Sequence, residues 1–90
     1  MADEPIAPIL GRALNLARRS RGLSQQEVGE ALGTTQATVS AWERGKLRPN
    51  LEQLISLTHV LGANRTALLD AVEAEMADRG QIPQPLTPKR

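Results

Sequence analysis

Apolar residues recur along this chain at helical spacing in five successive stretches separated by glycines. Pro8 suits a first helical position, and Leu10, Ala13, Leu14 and Ala17 form one stripe before Gly22. Ser24 followed by Glu27 is a capping box, opening a second stretch whose apolar face is Val28, Ala31 and Leu32. Gly33 closes it, because glycine takes the left-handed C′ conformation without strain. Thr34 or Thr35 then caps a third helix running to about Arg44, ended by Gly45. In it Val39 and Trp42 face inward, leaving Gln36, Ala37, Ser40, Ala41 and Arg44 outside. Asn50 with Gln53 opens a fourth helix, and its set Leu51, Leu54, Ile55, Leu57 and Leu61 is expected to be the main beam of the core. Gly62 ends it, and Asn64 caps a fifth helix containing Leu68, Leu69, Val72 and Met76. The pattern predicts an all-α, compact five-helix fold.

Gly29 interrupts the second helix at a cost of roughly 1 kcal/mol relative to alanine. A small residue there makes sense where the third helix crosses very close. Two short helices joined by a glycine turn, the second polar on one side, have the layout of a helix-turn-helix. The segment resembles that of the phage repressor and Cro group, the XRE family of small regulators. Counted from Gln25, the family pattern asks for aliphatic residues at the fourth and fifteenth places, a small one at the fifth and glycine at the ninth. Val28, Val39, Gly29 and Gly33 meet it, alongside the strings GTTQ and VSAWERG and the basic run Lys46 to Pro49. The resemblance covers about residues 9–69.

This resemblance implies a repressor-type DNA-binding domain whose helices 2 and 3 form the helix-turn-helix. The function it implies is sequence-specific binding of a palindromic double-stranded DNA operator in the major groove by a dimeric transcription regulator, most plausibly a repressor. Base reading falls to Gln36, Ala37, Ser40 and Ala41. Gln36 offers donor and acceptor in one plane to adenine, and alanine methyls pack on thymine methyls. Gln25, Thr35, Arg44, Lys46 and Arg48 are the phosphate candidates. Arg18 and Glu43 take the place of a structural ion pair. Activation instead of repression would need an acidic surface such as Glu30 or Glu43 to meet RNA polymerase. Phage or mobile-element regulator, restriction–modification controller and antitoxin all fit the pattern. So does a module of another class, one binding a second protein with DNA binding secondary.

Composition narrows the picture less than charge distribution does. Ninety residues allow one small domain, and the absence of cysteine removes disulfides and thiolate metal sites. No apolar run reaches the length of a membrane span, and no secretory leader is present, so a cytoplasmic, nucleoid-associated protein is expected. Net charge is only +1. Yet four arginines and no acid lie between Arg12 and Arg21, and Arg44, Lys46 and Arg48 follow the third helix. Asp70, Glu73, Glu75 and Asp78 make the far end acidic, to be held away from phosphates.

Val72 and Met76 continue the fifth stripe beyond what a small core needs and are the expected dimerisation residues, since one reading helix contacts too few bases to select an operator. Residues 1–8 are expected to be a poorly ordered arm, too acidic to wrap DNA. Residues 9–79 form the domain, and the proline-rich residues 80–90 a disordered tail. Trp42, the sole aromatic residue, is expected in the core. His59 lacks partners at ligand spacing, and no phosphate loop, nucleophile or acid–base pair is evident, so neither metal, cofactor nor enzymatic activity is expected.

Overall fold

Local capping sets the helix boundaries. The computed structural model describes residues 8–89 and forms, among them, five helices and no strand. These are α1 (Pro8–Ser20), α2 (Gln25–Leu32), α3 (Gln36–Glu43), α4 (Leu51–Leu61) and α5 (Arg65–Asp78), the all-α order expected. Ser24 Oγ accepts from the Glu27 amide at 3.0 Å while Glu27 Oε1 accepts from the Ser24 amide at 2.8 Å. Asn50 and Gln53 exchange the same pair of bonds at 2.7 and 2.8 Å. Of the two candidate threonines it is Thr35 that caps α3, accepting from the Thr38 amide at 3.1 Å. The expected arm lies, up to residue 7, outside the described residues. Residues 81–89 carry no regular secondary structure and are exposed.

The core joins Leu10 and Leu14 of α1, Val28 of α2, Val39 and Trp42 of α3, Leu54, Leu57 and Leu61 of α4, and Leu68 and Ala71 of α5. Three leucine-type positions differ from expectation. Leu51, Ile55 and Leu69 are 68%, 44% and 54% exposed. At 3.6 residues per turn, Ile55 and Leu69 each sit about 100° past a core residue, and Leu51 occupies the outermost turn of α4. Thr58 takes the inward place instead, its hydroxyl satisfied by donating to the Ile55 carbonyl at 2.6 Å.

Gly29 has the reason its position suggests. A Cβ there would lie 3.0 Å from the Thr35 carbonyl carbon and 3.2 Å from the Gln36 amide nitrogen. The backbone of α2 therefore touches the start of α3, which fixes the angle at which α3 leaves the turn. On α5 the inward line is Leu68, Ala71 and Glu75, with Val72 packed against the core beside it. Val72 and Met76, the expected dimerisation residues, are both partly buried, Val72 against the core of its own chain. No described helix is long and apolar enough to cross a membrane.

Candidate nucleic-acid interface

Eight residues make α3, and its two sides differ in chemistry. Val39 and Trp42, each 2% exposed, anchor it in the core. On the opposite side Gln36 and Ala37 are exposed and Ser40 is half-buried. Ala41, expected on this face, is 9% exposed. The chain after α3 folds back over it: the Lys46 and Leu47 amides both donate to the Ala41 carbonyl, at 2.9 and 3.3 Å. The Ala41 methyl is therefore far less exposed than Gln36 and Ala37 beside it. The presented surface is thus Gln36, Ala37 and Ser40, continued by Arg44, whose Nε reaches back to the Ser40 carbonyl at 3.4 Å.

Glu43 is the hub that ties this helix to the rest of the domain. Its carboxylate accepts from Arg18 Nε at 2.6 Å and Nη2 at 3.1 Å, from Asn15 Nδ2 at 2.7 Å and from Gln25 Nε2 at 3.0 Å. The Arg18 and Glu43 side chains are only 12% and 5% exposed. Arg18 also donates through Nη1 to the Leu23 carbonyl at 2.7 Å. Burial pushes the Glu43 carboxyl upward, but the bonds from Arg18, Asn15 and Gln25 and the Arg18 charge outweigh it, leaving it below the ordinary glutamate range. The bond to Glu43 raises Arg18 further above its ordinary value, against the opposing effect of burial. A carboxylate so enclosed offers no acidic surface to a polymerase; Glu30 is the exposed acid of the two.

The phosphate candidates separate into two groups. Thr35, Arg44 and Lys46 are exposed around the ends of α3. Gln25 is half-buried, with one amide hydrogen committed to Glu43 and a second that the side chain still carries. Arg48 is held elsewhere: its Nη2 lies 3.2 Å from Glu75 Oε2, and that contact faces α5. The acidic run is correspondingly not all solvated. Glu75 is 1% exposed and accepts from the Leu10 amide.

The helix-turn-helix family model matches residues 14–68, which holds α2, α3, α4 and the whole Glu43 network. The chain belongs to this helix-turn-helix family. A prophage-derived HTH-type transcriptional regulator of Bacillus subtilis, YonR, is 34% identical over 74% of this chain, which spans 62% of that relative's length. Among solved structures, the clp gene regulator ClgR of Corynebacterium glutamicum superposes with a TM-score of 0.70 at 29% identity, covering 88% of this chain and 84% of the other. The P22 c2 repressor in complex with synthetic operator 9T gives 0.64 at 27% identity, over 69% of this chain and 94% of that one. Each of these relatives is named as a regulator or a repressor.

Sequence reading missed Asn15, Glu75 and Gly11. A Cβ at Gly11 would lie 2.5 Å from the Glu43 carbonyl oxygen, so α1 presses backbone to backbone on the end of α3. Nothing periodic marks these positions. Asn15 is a polar residue inside an apolar stripe, the single signal that could have drawn notice.

Proposed function

We propose that this helix-turn-helix regulator represses transcription by occupying a palindromic operator, laying α3 in the major groove with Gln36 as the chief base reader. The observation that carries this is the outward set Gln36, Ala37 and Ser40 on a helix whose orientation is held by the Gly29 approach and the Glu43 hub. An alanine and a small hydroxyl beside a planar amide favour a half-site containing A·T pairs. Thr35, Arg44, Lys46 and the second amide hydrogen of Gln25 are the phosphate contacts, while Arg48 pairs with Glu75 instead. The P22 repressor solved on its operator supports a DNA partner for a chain of this shape. On this reading the protein works in the cytoplasm, where the DNA is.

Two copies are needed for a palindrome, and the surface that fits a second copy is the groove between α4 and α5. Leu51, Ile55 and Leu69 line it at high exposure, with Arg65 at its edge and Glu52 beside Leu51. A rim carrying both signs of charge suits self-pairing about a two-fold axis.

The test is competition binding to the DNA immediately upstream of its own gene. Wild type binds in excess nonspecific competitor, and Gln36→Ala weakens that binding by about 1–3 kcal/mol. Equal, competitor-sensitive binding by both proteins would remove Gln36 from base reading at that site.

A further inference from the structure

The base-reading and phosphate roles leave one feature unused, a carboxylate buried on the far side of the domain. Glu75 is 1% exposed, and an ionised group in that position is costly to keep unless it is paired. Three elements meet at it. Its Oε1 accepts the Leu10 amide, one of the first-turn donors that α1 cannot satisfy internally, where the helix dipole also favours an anion. Its Oε2 takes no hydrogen bond from the described residues but sits 3.2 Å from Arg48 Nη2. Arg48 belongs to the loop between α3 and α4, two residues after Lys46. That loop is therefore tied at both ends, by Lys46 and Leu47 to the Ala41 carbonyl and by Arg48 to α5. Beside the Leu10 bond, buried Gly11 rests on the Trp42 and Glu43 carbonyls at the end of α3.

We infer that Glu75 is a positioning residue for DNA binding, acting through Arg48 and the first turn of α1 to fix the loop that carries Lys46 and the end of the reading helix. Arg48 is then an internal tether and not a phosphate contact. The acidic C-terminal helix, remote from DNA, becomes part of the DNA-binding unit. Any partner that shifts α5 has a mechanical route to the reading helix. The last step rests on the DNA-binding reading; the tether itself does not.

Two readouts on the full chain test this. In hydrogen exchange, Glu75→Gln, which keeps shape and an acceptor for Leu10, speeds exchange of the Lys46 and Leu47 amides on the order of tenfold while the Thr34 amide is unchanged. Arg48→Gln does the same and Arg48→Lys restores protection; Arg48 is 35% exposed, so these variants serve even where Glu75→Gln fails to fold. On a labelled duplex from the DNA upstream of its own gene at low salt, Glu75→Gln weakens binding by a similar factor at unchanged salt slope. Lys46→Ala then costs less in the Glu75→Gln background than in wild type. Wild-type exchange at Lys46 and Leu47 in both variants overturns the proposal. So does strict additivity with Lys46→Ala, or a salt slope that falls by about 0.9 in Arg48→Gln, which would put Arg48 on a phosphate. Should wild type bind no duplex even at low salt, the DNA-binding reading and the positioning role fall together, and the exchange data alone decide whether the tether exists.

Discussion

Glu43 shows how one residue can serve both stability and function. Four hydrogen bonds converge on a carboxylate that is nearly enclosed, and they come from α1, from the start of α2 and from nowhere else among the described residues. Removing one partner leaves the other charge buried without compensation, so Glu43→Leu is expected to cost about 3–5 kcal/mol in urea unfolding. Arg18→Met with Glu43→Leu together should cost far less than the sum of the two, and a double-variant cost equal to that sum would show the pair to be uncoupled. The sign of the pH dependence follows from the lowered Glu43 carboxyl. Its unfolded form takes up a proton first, so its contribution is complete above the ordinary glutamate range and is lost as pH falls through the lower folded value. Unfolding midpoints measured from neutral pH down to about 3 should fall more steeply for wild type than for Glu43→Gln. Parallel curves would assign acid sensitivity to other carboxylates.

Among the helices, what was legible in the sequence was what is local. Ser24 with Glu27 and Asn50 with Gln53 are three residues apart, so the bonds that start α2 and α4 are visible as letter patterns. The contacts that aim α3 are not. Asn15 reaches Glu43 across 28 positions and Leu10 reaches Glu75 across 65, and no periodicity encodes such a pairing. Ala41 shows the same limit: the helical wheel points it outward, yet in the folded domain it is 9% exposed. Gly11 is the most exacting of these contacts. An added methyl would stand 2.5 Å from the Glu43 carbonyl oxygen and 2.8 Å from that of Trp42, both backbone atoms that cannot swing aside. Despite the gain in helix propensity, Gly11→Ala is expected to destabilise by about 1–3 kcal/mol through overpacking. Because the displaced atoms are the last turn of α3, DNA affinity should drop even at temperatures where the variant is fully folded. A Gly11→Ala protein as stable as wild type would mean that α1 and α3 separate easily, and that the reading helix is less firmly held than its contacts imply.

For the molecule as a whole, the proposed operator binding has to be reconciled with a net charge of only +1 for the full chain. Distribution supplies part of the answer, since Lys46 and Arg44 lie at the reading end while Arg48 and Glu75 neutralise each other internally. On the proposed two-fold reading, duplication supplies the rest. Leu51, Ile55 and Leu69 leave a small exposed apolar patch, the kind a monomer can carry and short of the roughly 800 Å² per partner of a standard interface. If the patch is the proposed dimer contact, it pairs weakly in free solution and strongly once two copies share one duplex, where the second contact is intramolecular. Sedimentation of the free protein at micromolar concentration should therefore report mostly monomer, and binding to a duplex with two half-sites should be cooperative. Ile55→Glu with Leu69→Glu should abolish that cooperativity, because it places unpaired like charge in the apolar patch, while leaving affinity for an isolated half-site within about twofold. Both positions are exposed, so the fold tolerates the change. Loss of half-site affinity in the same variant would show instead that the groove acts on α3 through the core, whereas unchanged cooperativity would move the dimer contact to another face.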